Sequence, residues 1–192
     1  MTKTKFIDST ILETDKLYYD LRNLCGFEDQ KWKLIYRATK DGFRAKDFHD
    51  KCDNIPNTLT VIKATNSNIF GGYACVTWSK NNEFKEDPSS YIFTLVNKPN
   101  QPLLIDCTDA DHAIKCNEDY GPCFGKEDII VVHGSNLNKR SRLLIGSSYS
   151  SFELNNKEMK IDEQFQTVEI EVFCKECQPL SRVIINYYYI LL

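Results

Sequence analysis

Residues 40–53 read KDGFRAKDFHDKCD, and residues 58–73 read TLTVIKATNSNIFGGY. In the first stretch, Asp41-Gly42 is a turn signal. Phe48 and Cys52 lie four positions apart, which places both side chains on one face of a helix. We therefore expect a short helix over residues 43–52.

The second stretch marks a change of apolar period from 3.6 to 2. Residues 58–64 are rich in β-branched side chains, residues 66–68 are a turn signal, and residues 69–77 resume a strand pattern. The sequence thus predicts a β-hairpin. Gly71 and Gly72 fall inside its second strand, where paired glycines indicate a bulge or the close approach of another backbone or a bulky side chain.

Upstream of this stretch the sequence predicts one helix and one strand. Thr10 and Glu13 have the spacing of a capping box. The apolar positions that follow have helical spacing, and Gly26 is a plausible stop signal. Residues 32–37 are predicted to form a strand.

Downstream, short apolar runs separated by turns predict further strands. We place them at residues 91–96, 103–107, 112–116, 129–133 and 167–174. Residues 121–125 and 134–160 are predicted to be loop, with one short strand in the second. In the last strand, alternation predicts that Val168, Ile170 and Val172 face the core and that Glu169 and Glu171 face water.

Many short strands after N-terminal helices predict an α+β fold that is mainly β. Each strand has one apolar face to bury, and two sheets packed face to face bury these faces against each other. We expect a two-sheet antiparallel β sandwich with flanking N-terminal helices. The predicted domain covers residues 6–176, and residues 177–192 form an atypical apolar C-terminal tail.

The bulk composition excludes several classes of function. The chain has 192 residues and a net charge of −3, so it lacks the basic excess of a nucleic-acid-binding protein. Its longest terminal apolar run, residues 183–192, is half of what a transmembrane helix needs. The N-terminus lacks the apolar segment of a signal peptide, so we expect a cytoplasmic protein with reduced thiols.

No catalytic motif stands out. The chain lacks a nucleophile elbow, a phosphate-binding loop and a dinucleotide fingerprint. His49 and Cys52 are three apart on the predicted helix, so a thiol-based redox or hydrolytic enzyme is an alternative. Cys174 and Cys177 form a Cys-x-x-Cys pair, which needs two further ligands, such as Cys116 and Cys123, to hold structural zinc. We expect no enzymatic activity, cofactor or metal.

The order of these segments resembles the TLDc domain of the oxidation-resistance family, and most closely its divergent members in protists and small invertebrates. The resemblance is carried by residues 6–9, 32–38, 41–73, 91–98, 117–125 and 165–173. It implies a two-sheet β sandwich without established enzymatic activity. It also implies a link to oxidative-stress resistance and binding to the cytosolic sector of the vacuolar-type proton pump.

A binding module of this kind carries its contact residues on loops of a rigid scaffold. The candidate partner-binding residues are Gly121, Phe124, Gly125, Lys139, Arg140 and Arg142. The partner is expected to be a protein, namely cytosolic subunits of the pump. An adaptor with an unrelated protein partner is the remaining alternative.

Overall fold

The fold is a mainly β sandwich, as the sequence predicts, here described from a computed structural model. The structure describes residues 5–6, 8–27, 30–98, 100–150 and 163–176. The predicted tail at residues 177–192, which includes Cys177, lies outside the described residues. None of the described helices is long and apolar enough to span a membrane.

Three helices and one 3-10 turn are described. They are α1 (Asp15–Cys25), α2 (Ala38–Asp41), α3 (Ala45–Cys52) and the 3-10 turn Ala110–His112. The predicted stop at Gly26 is confirmed, because Gly26 has the left-handed φ of 63°. The predicted cap at Thr10 is wrong: Thr14 caps α1, its side chain accepting a hydrogen bond from Leu17 N at 3.2 Å.

Thirteen strands are described. They are β1 (Lys5–Phe6), β2 (Lys31–Arg37), β3 (Thr58–Ala64), β4 (Ile69–Ala74), β5 (Glu83–Lys85), β6 (Tyr91–Val96), β7 (Leu103–Asp106), β8 (Ile114–Cys116), β9 (Tyr120–Phe124), β10 (Ile129–Val132), β11 (Ser141–Leu143), β12 (Gln164–Phe165) and β13 (Thr167–Lys175). One sheet has the order β1-β2-β13-β3-β4-β6-β7 and the other β12-β11-β10-β9-β8-β5. Every described pair is antiparallel except β1 with β2.

The seven-stranded sheet buries both of its faces. Ile62 belongs to the apolar cluster between the two sheets, whereas its neighbour Val61 belongs to a second cluster. Leu21 of α1 and Ile11 of the N-terminal segment are part of that second cluster, so these elements cover the outer face of the sheet. The helix and the segment before it are therefore structural cover for the larger sheet.

The predicted hairpin and the predicted role of its glycines are confirmed. β3 pairs with β4, and a β carbon on Gly72 would stand 2.7 Å from the ring of Phe124. Phe124 lies on the opposite sheet and is fully buried. Gly72 thus lets an aromatic ring from one sheet pack directly on the backbone of the other.

The predicted loop at residues 121–125 is instead β9, which lies between β8 and β10. Ile130 pairs with Cys123, but Val132 pairs with Tyr120, so β9 carries one extra residue over this interval. Gly121 and Pro122 occupy this bulge. A bulge accommodates a proline inside a sheet because the ladder is already interrupted there.

The predicted orientation of β13 is partly wrong. Ile170 and Val172 do face the core, but Val168 is 46% exposed, and Glu169 and Glu171 are buried. Thr167 pairs with Ala64 and Glu169 with Lys63, so Val168 is the extra residue of a β-bulge. The carboxylates are buried because β13 lies in the middle of a sheet that is covered on both faces.

Candidate functional site

In the His49–Cys52 pair of α3, Cys52 packs in the core and His49 forms hydrogen bonds. Burial raises the pKa of the Cys52 thiol well above its ordinary value. His49 is buried. Its Nδ1 lies 2.7 Å from Asp53 Oδ1, and its Nε2 lies 2.8 Å from the carbonyl oxygen of Asn117. The ring therefore links α3 to the turn before β9 instead of facing Cys52 as a base.

The remaining predicted thiol site is only partly described. Cys116 and Cys123 are both fully buried, and burial raises the pKa of Cys123 to about 12. Cys174 lies near the end of β13, and its predicted partner Cys177 is not among the described residues. Within the described parts of the chain, no group of three or more ligating side chains could hold a metal ion.

The two buried carboxylates of β13 hold neighbouring segments to that strand, Glu171 the segment before α1 and Glu169 the short helix α2. Glu171 Oε1 accepts from Thr10 N at 2.7 Å and from Arg37 Nη2 at 3.0 Å, while Oε2 accepts from Ser9 Oγ at 2.5 Å. Glu169 Oε1 accepts from the backbone N–H of Thr39 in α2 at 3.0 Å. These donors satisfy both carboxylates, which gives them a structural role.

The first half of the predicted partner-binding set lies inside the protein. Phe124 is fully buried, and Gly121 and Gly125 are buried as well. Gly125 has a φ of 70° and lies against the carboxylate of Asp128, so a side chain there would be strained. Burial removes these three residues from the surface that a partner would touch.

The second half of the set is exposed. Lys139 and Arg140 lie on the loop between β10 and β11, and Arg142 projects from β11. Arg142 Nη1 forms a 3.3 Å ion pair with Glu127, and both side chains are about half exposed. Lys139 and Arg140 make no ion pair with any described residue.

We call residues 133–142 the basic loop. Its base is fixed to β13, because Thr167 N donates to Ser135 O at 3.0 Å and the two hydroxyls lie 2.8 Å apart. Gln166 Nε2 also donates to Asn136 O at 2.7 Å. A tight turn closes the loop, with Leu137 N donating to Gly134 O at 2.9 Å. These hydrogen bonds anchor the base and the turn of the loop.

Two exposed apolar side chains accompany this loop, and the sequence did not single them out. Leu137 at the tip is 81% exposed, the highest value among the large apolar side chains that the structure describes. Val168 is the bulged residue next to Thr167, which holds the base of the loop. The sequence could have indicated Leu137, because it is a leucine within a polar loop. It could not have indicated Val168, because the bulge that exposes Val168 depends on the strand register.

The family model of the TLDc domain matches residues 6–175. That match covers most of the chain and includes the basic loop, both buried carboxylates and all three helices. No curated protein matches the chain.

Proposed function

Since the chain belongs to the TLDc domain family, we propose that it is a non-enzymatic protein-interaction module of the cytoplasm. We propose further that it acts in oxidative-stress resistance and in regulation of the vacuolar-type proton pump, by binding the cytosolic sector of that pump. The family match over residues 6–175 carries this proposal. It supports the proposal that this chain has the role implied by the sequence resemblance.

The chemistry of the interior supports a function other than catalysis. A cysteine nucleophile acts as the thiolate, so it needs a lowered pKa. Burial instead raises the pKa of Cys52 and of Cys123. The buried carboxylates of β13 accept hydrogen bonds from the segments that they hold in place, which is a structural role.

The surface supports a binding role. An interaction module needs a rigid scaffold that presents a few exposed side chains. The sandwich supplies the scaffold, and the basic loop presents Leu137, Lys139 and Arg140 to solvent.

The proposal is tested by affinity purification of the tagged chain from a lysate of its own cells. We expect subunits of the cytosolic pump sector to be recovered, and we expect the purified chain to change ATP hydrolysis by the isolated pump. The unfolded, tagged chain is the control for non-specific capture. Repeated recovery of a different protein would support the adaptor alternative, and recovery of no pump subunit would refute the pump assignment.

A further inference from the structure

We propose that the basic loop, together with Val168, is the docking surface and that it recognises an acidic protein surface with an apolar recess for Leu137. This inference rests on the proposed interaction function and adds the location of the surface and the chemistry of its partner.

The first support is the distribution of charge. Residues 129–150 contain Lys139, Arg140 and Arg142 and no Asp or Glu. Since these residues contribute three positive charges to a net charge of −3, the rest of the chain carries −6. The loop is thus a local positive region on an acidic protein, and it complements a negative surface.

The second support is how few ion pairs the described residues make with these positive charges. Lys139 and Arg140 have no acidic partner among the described residues, and Arg142 shares only an exposed 3.3 Å pair with Glu127. An exposed pair of this kind contributes little stability to the folded chain. A carboxylate of a partner can therefore replace Glu127 with little loss.

The third support is the rigidity of the loop. The contacts of Ser135 with Thr167 and of Asn136 with Gln166 tie the loop to the start of β13. Gly134 N also donates to Phe43 O at 3.0 Å, which fixes the start of the loop against the segment before α3. A surface that is already ordered loses less conformational entropy when it binds.

The fourth support is the apolar tip. Leu137 is 81% exposed although the turn that carries it is ordered, and Val168 adds a second exposed apolar side chain at the loop base. Exposed apolar side chains together with cations on the same loop fit an interface with a buried centre and a charged rim.

The same features favour a protein over a membrane or a nucleic acid. Recognition of anionic lipid surfaces typically uses clusters of about four to eight Lys and Arg residues, and this loop has three. Nucleic-acid sites of so few cations bind weakly at physiological salt, and Leu137 has no role in contacting phosphates. A carboxylate-bearing protein surface uses both the cations and the leucine.

The test uses the full ¹⁵N-labelled chain and two synthetic peptides with helical spacing, one of Glu and Leu and the other of Lys and Leu. We expect the Glu–Leu peptide to cause saturable amide shifts confined to residues 134–142 and 168, and the Lys–Leu peptide to cause none. Leu137→Ala should weaken binding by about tenfold, from loss of the buried apolar side chain. Tyr19→Ala, at a 58% exposed aromatic residue of α1, is the matched control and should bind like the wild type.

The charge contribution is tested separately by Lys139→Glu/Arg140→Glu. This variant should weaken binding by about tenfold at low salt, and the difference should shrink at high salt because ions screen exposed charges. Lys31→Glu/Lys33→Glu makes the same charge change at exposed positions of β2 and should leave binding unchanged.

Parallel binding to the purified cytosolic pump sector separates this inference from the proposed function. If the peptide maps to the loop but the pump sector does not bind, the pump assignment fails and the docking surface stands. If the pump sector binds the loop variants as tightly as the wild type and no peptide shift falls on the loop, the docking surface is refuted. Loop-dependent binding to vesicles of anionic phospholipid, without peptide binding, would also overturn it in favour of a membrane.

Discussion

Neutralising the buried carboxylate of Glu171 should destabilise the chain and loosen its N-terminal segment. Glu171→Gln preserves the shape of the side chain but removes the charge that faces Arg37. The carboxylate is fully buried, and it also accepts hydrogen bonds from Ser9 and Thr10. It is therefore the polar contact that joins the segment before α1 to β13.

The expected loss of unfolding free energy follows from the hydrogen bonds that the Glu171 side chain makes with Arg37 and with Ser9. Removing one partner of a buried ion pair costs about 3–5 kcal/mol of unfolding free energy. Here the Arg37 side chain is 17% exposed, and the remaining Gln oxygen still accepts from it, which reduces the cost. The Gln amide nitrogen faces Ser9 Oγ, which already accepts from Leu12 N at 2.9 Å, so that contact is not fully replaced. We expect a loss of about 2–3 kcal/mol, or about 4–12 °C in Tm for a domain of this size.

The assay combines denaturant unfolding with hydrogen exchange. We expect amides of residues 9–12 and of α1 to exchange faster in Glu171→Gln, because this segment loses its anchor before the sheet does. The matched control is Glu127→Gln, which removes a carboxylate from a pair whose side chains are 54% and 49% exposed and should cost no more than about 0.5 kcal/mol. A loss of stability equal to the control, with unchanged exchange at residues 9–12, would refute the assigned role of Glu171.

Three further predictions test the interior. Gly72→Ala should cost about 2–3 kcal/mol of unfolding free energy in denaturant, because its new methyl group would stand 2.7 Å from the Phe124 ring. In the control Gly121→Ala the methyl group meets nothing closer than 3.4 Å, and the cost should be less than about 1 kcal/mol. Equal losses in the two variants would contradict this. Burial raises the pKa of Cys123 from 9.0 to about 12, and the unfolded state therefore releases the thiol proton at a lower pH than the folded state. The contribution of this thiol to the free energy of unfolding is full below pH 9 and falls as the pH rises from 9 to 12. Cys123→Ala should flatten that decline when unfolding is measured against pH, and an unchanged dependence of the unfolding free energy on pH would contradict the assignment. Asp128→Asn should cost about 2–4 kcal/mol in denaturant unfolding, because its buried carboxylate accepts hydrogen bonds from four backbone N–H groups that follow β11, and an amide nitrogen would face donors. A loss below about 1 kcal/mol would contradict this.

Local patterns predicted the architecture because most strands follow simple period-2 rules. The hairpin of β3 and β4 and the buried β6 were recognised from β-branched runs and turn residues. The same rules misplaced Glu169 and Glu171, because alternation assumes that one face of a strand meets water. β13 is covered on both faces, and its bulge at Val168 depends on how it pairs with β3. The periodicity of one strand carries no information about that pairing.

Amino-acid composition also predicted the wrong structure at residues 121–125, where a β-bulge places residues typical of turns inside a strand. Gly121 and Pro122 are typical of loops, yet they occupy the bulge of β9 between two other strands. A loop at residues 121–125 would present Phe124 to a partner. A strand at that position places Phe124 against Gly72 in the core, so its aromatic ring serves packing and not recognition.

The position of the basic loop follows from the same long-range pairing that sequence patterns missed. The bulge before Glu169 exposes Val168, and the neighbouring Thr167 holds Ser135 at the base of the loop. The Glu169 contact with α2 and the anchored base of the loop thus flank one register shift in β13. If this is so, removing the bulge by deleting Val168 should disturb both the Glu169 contact with α2 and the conformation of residues 134–138. Amide spectra that change in only one of these regions would show that the two features are independent.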